Sequence, residues 1–466
     1  MASTHGSGPR IAVVGAGIAG AGAAWALHRA GFDVEVFEAG ADAGGNAKTH
    51  AWTVGDRRVV TGLSVLAWPP RFFRNYERLL RTLGVETEEV TLRFFIRRGA
   101  DTYAHGMPGT LGARYADDLR RWRRLCDFAG AVNRAVLGPE SERSLYAFSL
   151  RNPLNYTPLR ALAAAFGVSD GFFRDVLVPL YSTSFLTTRI GGIPAVVVPA
   201  LDRMISVEHG GVMHTWRAST SSAEVFARLL AGLDGRVHTG RRITGVRRGG
   251  GRVELCDDTG AAHTFDRVVF ACDATSAAAA LDRPTRLERE LLAKVTYTDD
   301  RDTSFLAGHV HGDASVLPEE HRDAILRGYA TYVDVVEEAG GALRYENHFV
   351  LSSWMPAARG TGAVMMVHYE KPEGRRLDRL EKVITNRRAH PDLSPGNLGR
   401  AFLLRLLQGR GGLYYAGSYT TPGNGHDLSL LSGLVVANAL GAPYPFEDDP
   451  DARADFERLR RFMLGR

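Results

Sequence analysis

The segment Ile11-Ala-Val-Val-Gly15-Ala-Gly17-Ile-Ala-Gly20 constrains this chain more than any other stretch. Its apolar run has no polar alternation and reads as a strand over 10–15, buried on both faces. Residues 21–30 read as a helix, with Gly31 where a left-handed C-terminal cap belongs. Residues 32–38 give a second strand. The three glycines between strand and helix have separate uses: Gly15 permits the tight turn, Gly17 lets backbone approach a pyrophosphate, and Gly20 lets helix and strand pack closely. Backbone N–H groups and the helix dipole then face the phosphates. Glu38 ends the second strand, where a carboxylate accepts hydrogen bonds from ribose hydroxyls. A glycine-rich packing turn beside a surface glutamate explains the glycines alone. It does not explain strand, glycines, helix, cap, strand and acid in sequence. The dinucleotide contacts expected here are Gly15, Ala16, Gly17, Ile18, Gly20, Glu38 and Ala39.

The same residues decide what the apolar run 11–27 is not. Read as a signal peptide it is packed with glycine and lacks a cleavage site. As a membrane span it is short and closed by His28 and Arg29. The expectation is a soluble, cytoplasmic protein. With 466 residues, 45% hydrophobic and 23% charged, the chain has ample material for large cores, which excludes disordered and disulfide-stapled classes. Of 57 basic residues only Lys48, Lys294, Lys371 and Lys382 are lysines, and the net charge of +5 is dispersed. Nucleic-acid binding, which needs a basic stripe or face, is not expected. Cys126, Cys256 and Cys272 are isolated from one another, so neither a disulfide framework nor a metal site is expected.

Beyond residue 72 the pattern becomes mainly helical to about 207, as in 71–83 and 113–132. Strand patterns return at 236–246, 252–256 and 267–271, with a glycine turn at 249–251. Further strands are expected at 348–353 and 363–369, a helix at 377–388, a buried strand at 413–416 and a helix at 427–440. Segments of two intertwined domains therefore alternate. Residues 10–75, 208–280 and 401–445 form the dinucleotide domain. Residues 76–207 and 281–400 form the substrate domain, and 446–466 a C-terminal helix or tail.

A second glycine pair follows Glu38, in Gly44-Gly45-Asn46-Ala47-Lys48-Thr49. Here the sequence resembles the flavin-dependent amine oxidase superfamily, in which this pair belongs to FAD binding. The resemblance returns in Leu413-Tyr-Tyr-Ala-Gly417-Ser418-Tyr419-Thr420, followed by Ser432-Gly433-Leu434. The blocks Val60-Thr-Gly62-Leu-Ser64, His311 to Pro318 and Gly425-His426-Asp427 are similar to bacterial predicted NAD/FAD-binding amine-oxidase-like oxidoreductases. The likeness is strong at both ends of the chain and loose between about 100 and 200. It implies an α/β fold, with a Rossmann-like FAD-binding domain intertwined with an α+β substrate domain. It further implies noncovalent FAD, since no cysteine falls in the closing segment. Its contacts would add Gly44, Gly45, Asn46, Thr61, Gly62, Leu63, Ile243, Gly417, Ser418, Asp427 and Leu428. The helix beginning near Asp427 would point its positive end at the flavin's pyrimidine carbonyls.

The reaction this resemblance implies is removal of a hydride equivalent from a C–H bond of a small or medium organic substrate. The electron acceptor, O2 or another, and the oligomeric state stay open. A flavin-dependent double-bond isomerase without net redox change is the alternative, and a non-catalytic flavoprotein a third. Many amine oxidases keep a lysine where residues 302–308 fall, and this segment has none. Ordinary amine oxidation is therefore in question. His426 is the candidate acid or base, against a plain role in the turn or in flavin contact. Tyr419 is a candidate wall of the catalytic cavity, against a core position. Trp354, His368 and Tyr369 are candidate substrate contacts, which packing alone also explains.

Overall fold

The computed structural model describes residues 8–62, 64–107, 109–139, 141, 149–185, 187–203, 213–297, 305–311, 314–368, 382–387 and 390–465. Strand β1 (Arg10–Val14) is the centre of a five-stranded parallel sheet with β2 (Asp33–Phe37), β3 (Val237–His238), β4 (Arg267–Phe270) and β5 (Leu413–Tyr415). The order is β5-β4-β1-β2-β3. Ile11 to Val13 are fully buried because both faces of β1 are covered. Val13 pairs with Val36 on one side and Val269 on the other.

Helix α1 (Ile18–Arg29) crosses from β1 to β2 and ends at Ala30, with Gly31 at φ +86° completing the cap. Four further helices matter below: α2 (Arg74–Thr82), α3 (Ala116–Leu137), α4 (Val197–Asp202) and α5 (His426–Ala439). Helices α1 and α5 pack backbone to backbone: a side chain at Gly433 would collide with the carbonyl of Ala19. The core between them joins Ile18, Trp25, Leu430, Leu431 and Leu434 to the sheet. The opposite sheet face is covered by the antiparallel strands Ile243–Gly249, Arg252–Asp257 and Ala262–Phe265, through Leu255, Phe265 and Phe270.

The second half is built on a seven-stranded mixed sheet. Its order is Lys382–Arg387, Phe305–His311, Val364–His368, Leu343–Phe349, Thr331–Glu337, Phe94–Arg98 and Asp101–Ala104. The pair Thr331–Glu337 and Phe94–Arg98 is parallel, and the other pairs are antiparallel. Against it lies a helical core in which Trp122, Leu125, Phe172, Tyr181 and Val198 meet. Among the described residues, no helix is long and apolar enough to cross a membrane.

Four expectations change. The stretch beyond 72 contains three strands, Thr87–Leu92, Phe94–Arg98 and Asp101–Ala104, between its helices. The first pairs with Met213–Ala218 and the second with Thr331–Glu337, so partners far along the chain override the local pattern. The expected strand 236–246 breaks at Gly240, φ +66°, and its halves join different sheets. The expected strand 348–353 ends at Phe349, and a short helix, Leu351–Trp354, follows. Of the expected helix 377–388 the described part, Lys382–Arg387, is an edge strand paired with Phe305–His311.

Candidate functional site

One cavity of about 1340 Å³ runs from the glycine-rich turn into the helical half. That exceeds the ~300–1,000 Å³ usual for a single ligand, so it has room for a cofactor and a second molecule. Two helices start on it. Gly17 caps α1 and Gly425 caps α5, and neither N-terminus has a side-chain cap. Gly17, Ile18 and Ala19 line the cavity at one start, and Gly425, His426, Leu428 and Ser429 at the other. Two sets of first-turn N–H groups, each with a positive partial charge, therefore converge on one space.

Glycine geometry explains how backbone reaches that space. A side chain at Gly15, φ +105°, would press on Ala271 and Cys272 backbone at 2.9 Å. One at Gly20 would collide with the carbonyl of Gly15. One at Gly17 would meet nothing nearer than Gly45 Cα at 3.8 Å, so the space above the loop is open. The second glycine pair docks on the first: Gly44 N–H donates to Ala16 O at 3.0 Å. Glu38 accepts from the N–H groups of Ala16 at 2.8 Å and Gly40 at 2.7 Å. Each carboxylate oxygen has a second lone pair, and the residue lines the cavity. These features fit an extended dinucleotide, with ribose hydroxyls at Glu38 and phosphates over Gly17.

The expected contacts divide. Gly15, Gly17, Ile18, Glu38, Ala39, Gly44, Gly45 and Asn46 line the cavity, as do Ile243, Gly417, Ser418 and Leu428. Ala16, Gly20, Thr61, Gly62 and Asp427 do not; the first two shape the turn from behind. Asp427 points the other way: its carboxylate accepts from Tyr76 N–H at 2.6 Å, capping α2 where Phe73 has no acceptor to offer. Burial pushes that carboxyl well above its usual pKa. Gly417 N–H is held by Ser432 Oγ at 2.7 Å, which ties the closing turn to α5. Leu63 and Tyr369 lie outside the described residues, and of His368 only the backbone is described.

Residues 13–83 match the family model of an NAD(P)-binding Rossmann-like domain. No curated protein matches the chain in sequence. Putrescine oxidase bound to putrescine superposes with a TM-score of 0.65 at 15% identity, over 93% of this chain and 99% of that one. Cyclohexylamine oxidase from Brevibacterium oxydans IH-35A gives 0.63 at 13% identity, over 97% and 100%. The chain shares the fold of these two oxidases. A CLA-producing fatty acid isomerase from P. acnes shares it, with a TM-score of 0.62 at 18% identity over 92% and 98%.

Within this fold, His426 and Trp354 both line the cavity; Trp354 is buried and His426 half-buried. Among the described residues, His426 Nε2 and the Trp354 indole N–H are buried atoms without a hydrogen-bond partner. Burial pushes His426 down to a pKa of about 3, so its imidazole is neutral. Its ring stands edge-to-face on Tyr76 at 4.7 Å. Tyr419 lines the cavity too, but its hydroxyl donates to Phe270 O at 3.3 Å, and burial raises its pKa far above the usual. That hydroxyl belongs to the core behind the sheet and is poorly suited to proton transfer. Lys294 stands at the lining paired with Glu290 at 2.7 Å. No sequence signal marked Asn133, Asn152 and Asn155, which also line the cavity. They belong to no motif, and only the tertiary fold brings α3 to the turn Pro153–Asn155.

Proposed function

We propose that the protein is an FAD-dependent oxidoreductase that removes a hydride equivalent from a C–H bond of a small or medium organic substrate. The observation that carries this reading is this cavity, lined by two uncapped helix starts, Glu38, His426, Trp354 and an apolar arm of side chains such as Phe94, Phe185 and Leu201. Bound FAD would supply the hydride acceptor. The second glycine pair and the start of α5 favour FAD over a nicotinamide, because both add backbone donors beyond the first turn. The N-termini of α1 and α5 hold negative charge, and Glu38 orients the ribose. His426, neutral, offers a hydrogen bond toward the reacting region without carrying charge. The apolar arm excludes water and presents the substrate. The sequence has no lysine at 302–308, so the reading does not extend to ordinary amine oxidation.

Isomerisation without net redox change is a second reading, favoured by the isomerase among the structures sharing the fold. Two experiments test these readings. Acid precipitation of the purified protein should release FAD into the supernatant; flavin left on the pellet contradicts the noncovalent reading, and a protein that neither carries nor takes up FAD removes both. Anaerobic incubation with a metabolite library should then bleach the flavin. Conversion of a compound while the flavin stays oxidised supports the isomerase.

A further inference from the structure

We infer that the Lys48 ammonium is the charge partner of Glu38, and that the two together seat the ribose and diphosphate of the bound dinucleotide. This rests on the reading of the cavity as an FAD site. The second glycine pair runs into a single helical turn, Gly45–Ala47, which buries Ala47 in the core and releases the chain at Lys48 into the strand Thr49–Val54. Lys48 lines the cavity, as Glu38 does. Its side chain lies over Gly40: a side chain there would meet Lys48 Nζ at 3.1 Å and Glu38 Oε1 at 3.0 Å. Ammonium and carboxylate therefore flank one point, in the space that this glycine leaves. The backbone beneath them is fixed, because Gly40 N–H donates to Glu38 Oε1 at 2.7 Å and Gly40 O accepts from Gly240 N–H at 2.8 Å.

Charge sets the need for such a group. The N-termini of α1 and α5 offer about half a positive charge each, against roughly two negative charges on a diphosphate. Glu38 adds another negative charge beside it. Without a further cation, the carboxylate would repel the ligand whose hydroxyls it is placed to hold. Lys48 supplies a full positive charge, and its flexible stem carries three donors that can serve the carboxylate and a phosphate oxygen together. Arg241 and Arg242 also line the cavity. Arg241 N–H donates to Glu38 O at 2.8 Å, but its guanidinium is engaged by Thr259 at 2.7 Å and Asp257 at 3.4 Å. Arg242 is the cation against which Lys48 is compared.

The test is the FAD dissociation constant of the purified protein, titrated at about 0.01 M and about 1 M NaCl. Lys48→Met should weaken FAD about tenfold at low salt, as expected for a charged hydrogen bond. The loss should shrink at high salt, where partly exposed charges are screened. Lys48→Arg, which keeps the charge, should stay within about threefold of wild type. In a Glu38→Gln background the loss caused by Lys48→Met should be about threefold smaller or less, the coupling of neighbouring charges. A Lys48→Met protein that binds FAD as wild type does, or a loss that is the same at both salts and in both backgrounds, overturns the inference. So does a loss in Arg242→Met that Lys48→Met does not show. Lys48→Gln repeats the test if Lys48→Met does not fold. ADP carries the same ribose and diphosphate without the flavin, and separates this inference from the reading beneath it. A protein that takes ADP but not FAD, and loses ADP in Lys48→Met, keeps the inference and removes the FAD reading. One that takes FAD equally with and without Lys48 does the reverse, and one that takes neither ligand removes both.

Discussion

The two ends of the cavity are made of different material. Around the glycine-rich turn, backbone N–H groups that begin α1 and α5 face the cavity beside the Glu38 carboxylate, exposed because Gly17 and Gly425 carry no side chain. From the helical half the lining is side chains, among them phenylalanine, leucine and asparagine. Backbone can approach a phosphate only where glycine stands, so the first end tolerates almost no sequence change. An apolar wall needs only the right volume and polarity, so the second can be rewritten without losing the fold.

The largest effect should come from Gly17. Its backbone is extended, φ −71° and ψ 178°, and a side chain there meets no protein atom nearer than 3.8 Å. Gly17→Val should therefore fold normally and lose FAD by more than about a hundredfold, or roughly 2.7 kcal/mol. Gly20→Val should fail differently, because its side chain collides with Gly15 O. Overpacking there lowers the melting temperature, at a cost of about 1–3 kcal/mol or more. Thermal melts beside FAD titrations separate the two. If Gly17→Val binds FAD normally, the pyrophosphate does not cross this turn.

Glu38→Ala should weaken FAD by roughly ten- to hundredfold, about 1.5–3 kcal/mol for hydrogen bonds to a charged group. Part of the loss comes from the turn itself, since Glu38 also holds the N–H groups of Ala16 and Gly40. Glu38→Gln keeps an acceptor for one of them and should lose less. Equal FAD affinity in wild type and both variants would contradict the ribose assignment.

The difference between the two ends also explains what could be read from sequence. The order β1, α1, β2, Gly31 and Glu38 was legible because each step rests on a residue with one conformational or chemical use. The strands Thr87–Leu92 and Phe94–Arg98 were not, because each is seated in its sheet by pairing with residues more than a hundred positions away. Asp427 was read as a cofactor contact from its place at a helix start, yet it caps a different helix, α2, which sequence spacing cannot reveal. The asparagines of the lining were invisible for the same reason: only proximity in space brings them to the cavity, and no local pattern marks it.

The smallest effect, and the sharpest on mechanism, belongs to His426. A histidine acting as acid or base would contribute about 10²–10⁴-fold and would titrate near neutrality. Burial holds this one at a pKa of about 3, so it stays neutral throughout pH 5–9 and contributes a hydrogen bond at most. His426→Ala should then slow flavin reduction only about 2–10-fold, corresponding to about 0.5–1.5 kcal/mol, with FAD retained and the pH profile of the step unchanged. Stability should respond where the rate does not. The folded pKa lies below the unfolded value of 6.5, so the unfolded chain binds more protons and stability falls as pH drops from 6.5 toward 3. His426→Asn removes that loss, and its advantage over wild type should grow by up to about 1.4 kcal/mol per pH unit below 6.5. Denaturant melts at pH 7 and pH 5 measure the difference. A near-neutral ionisation in the rate of flavin reduction that disappears in His426→Asn would return the residue to acid–base chemistry.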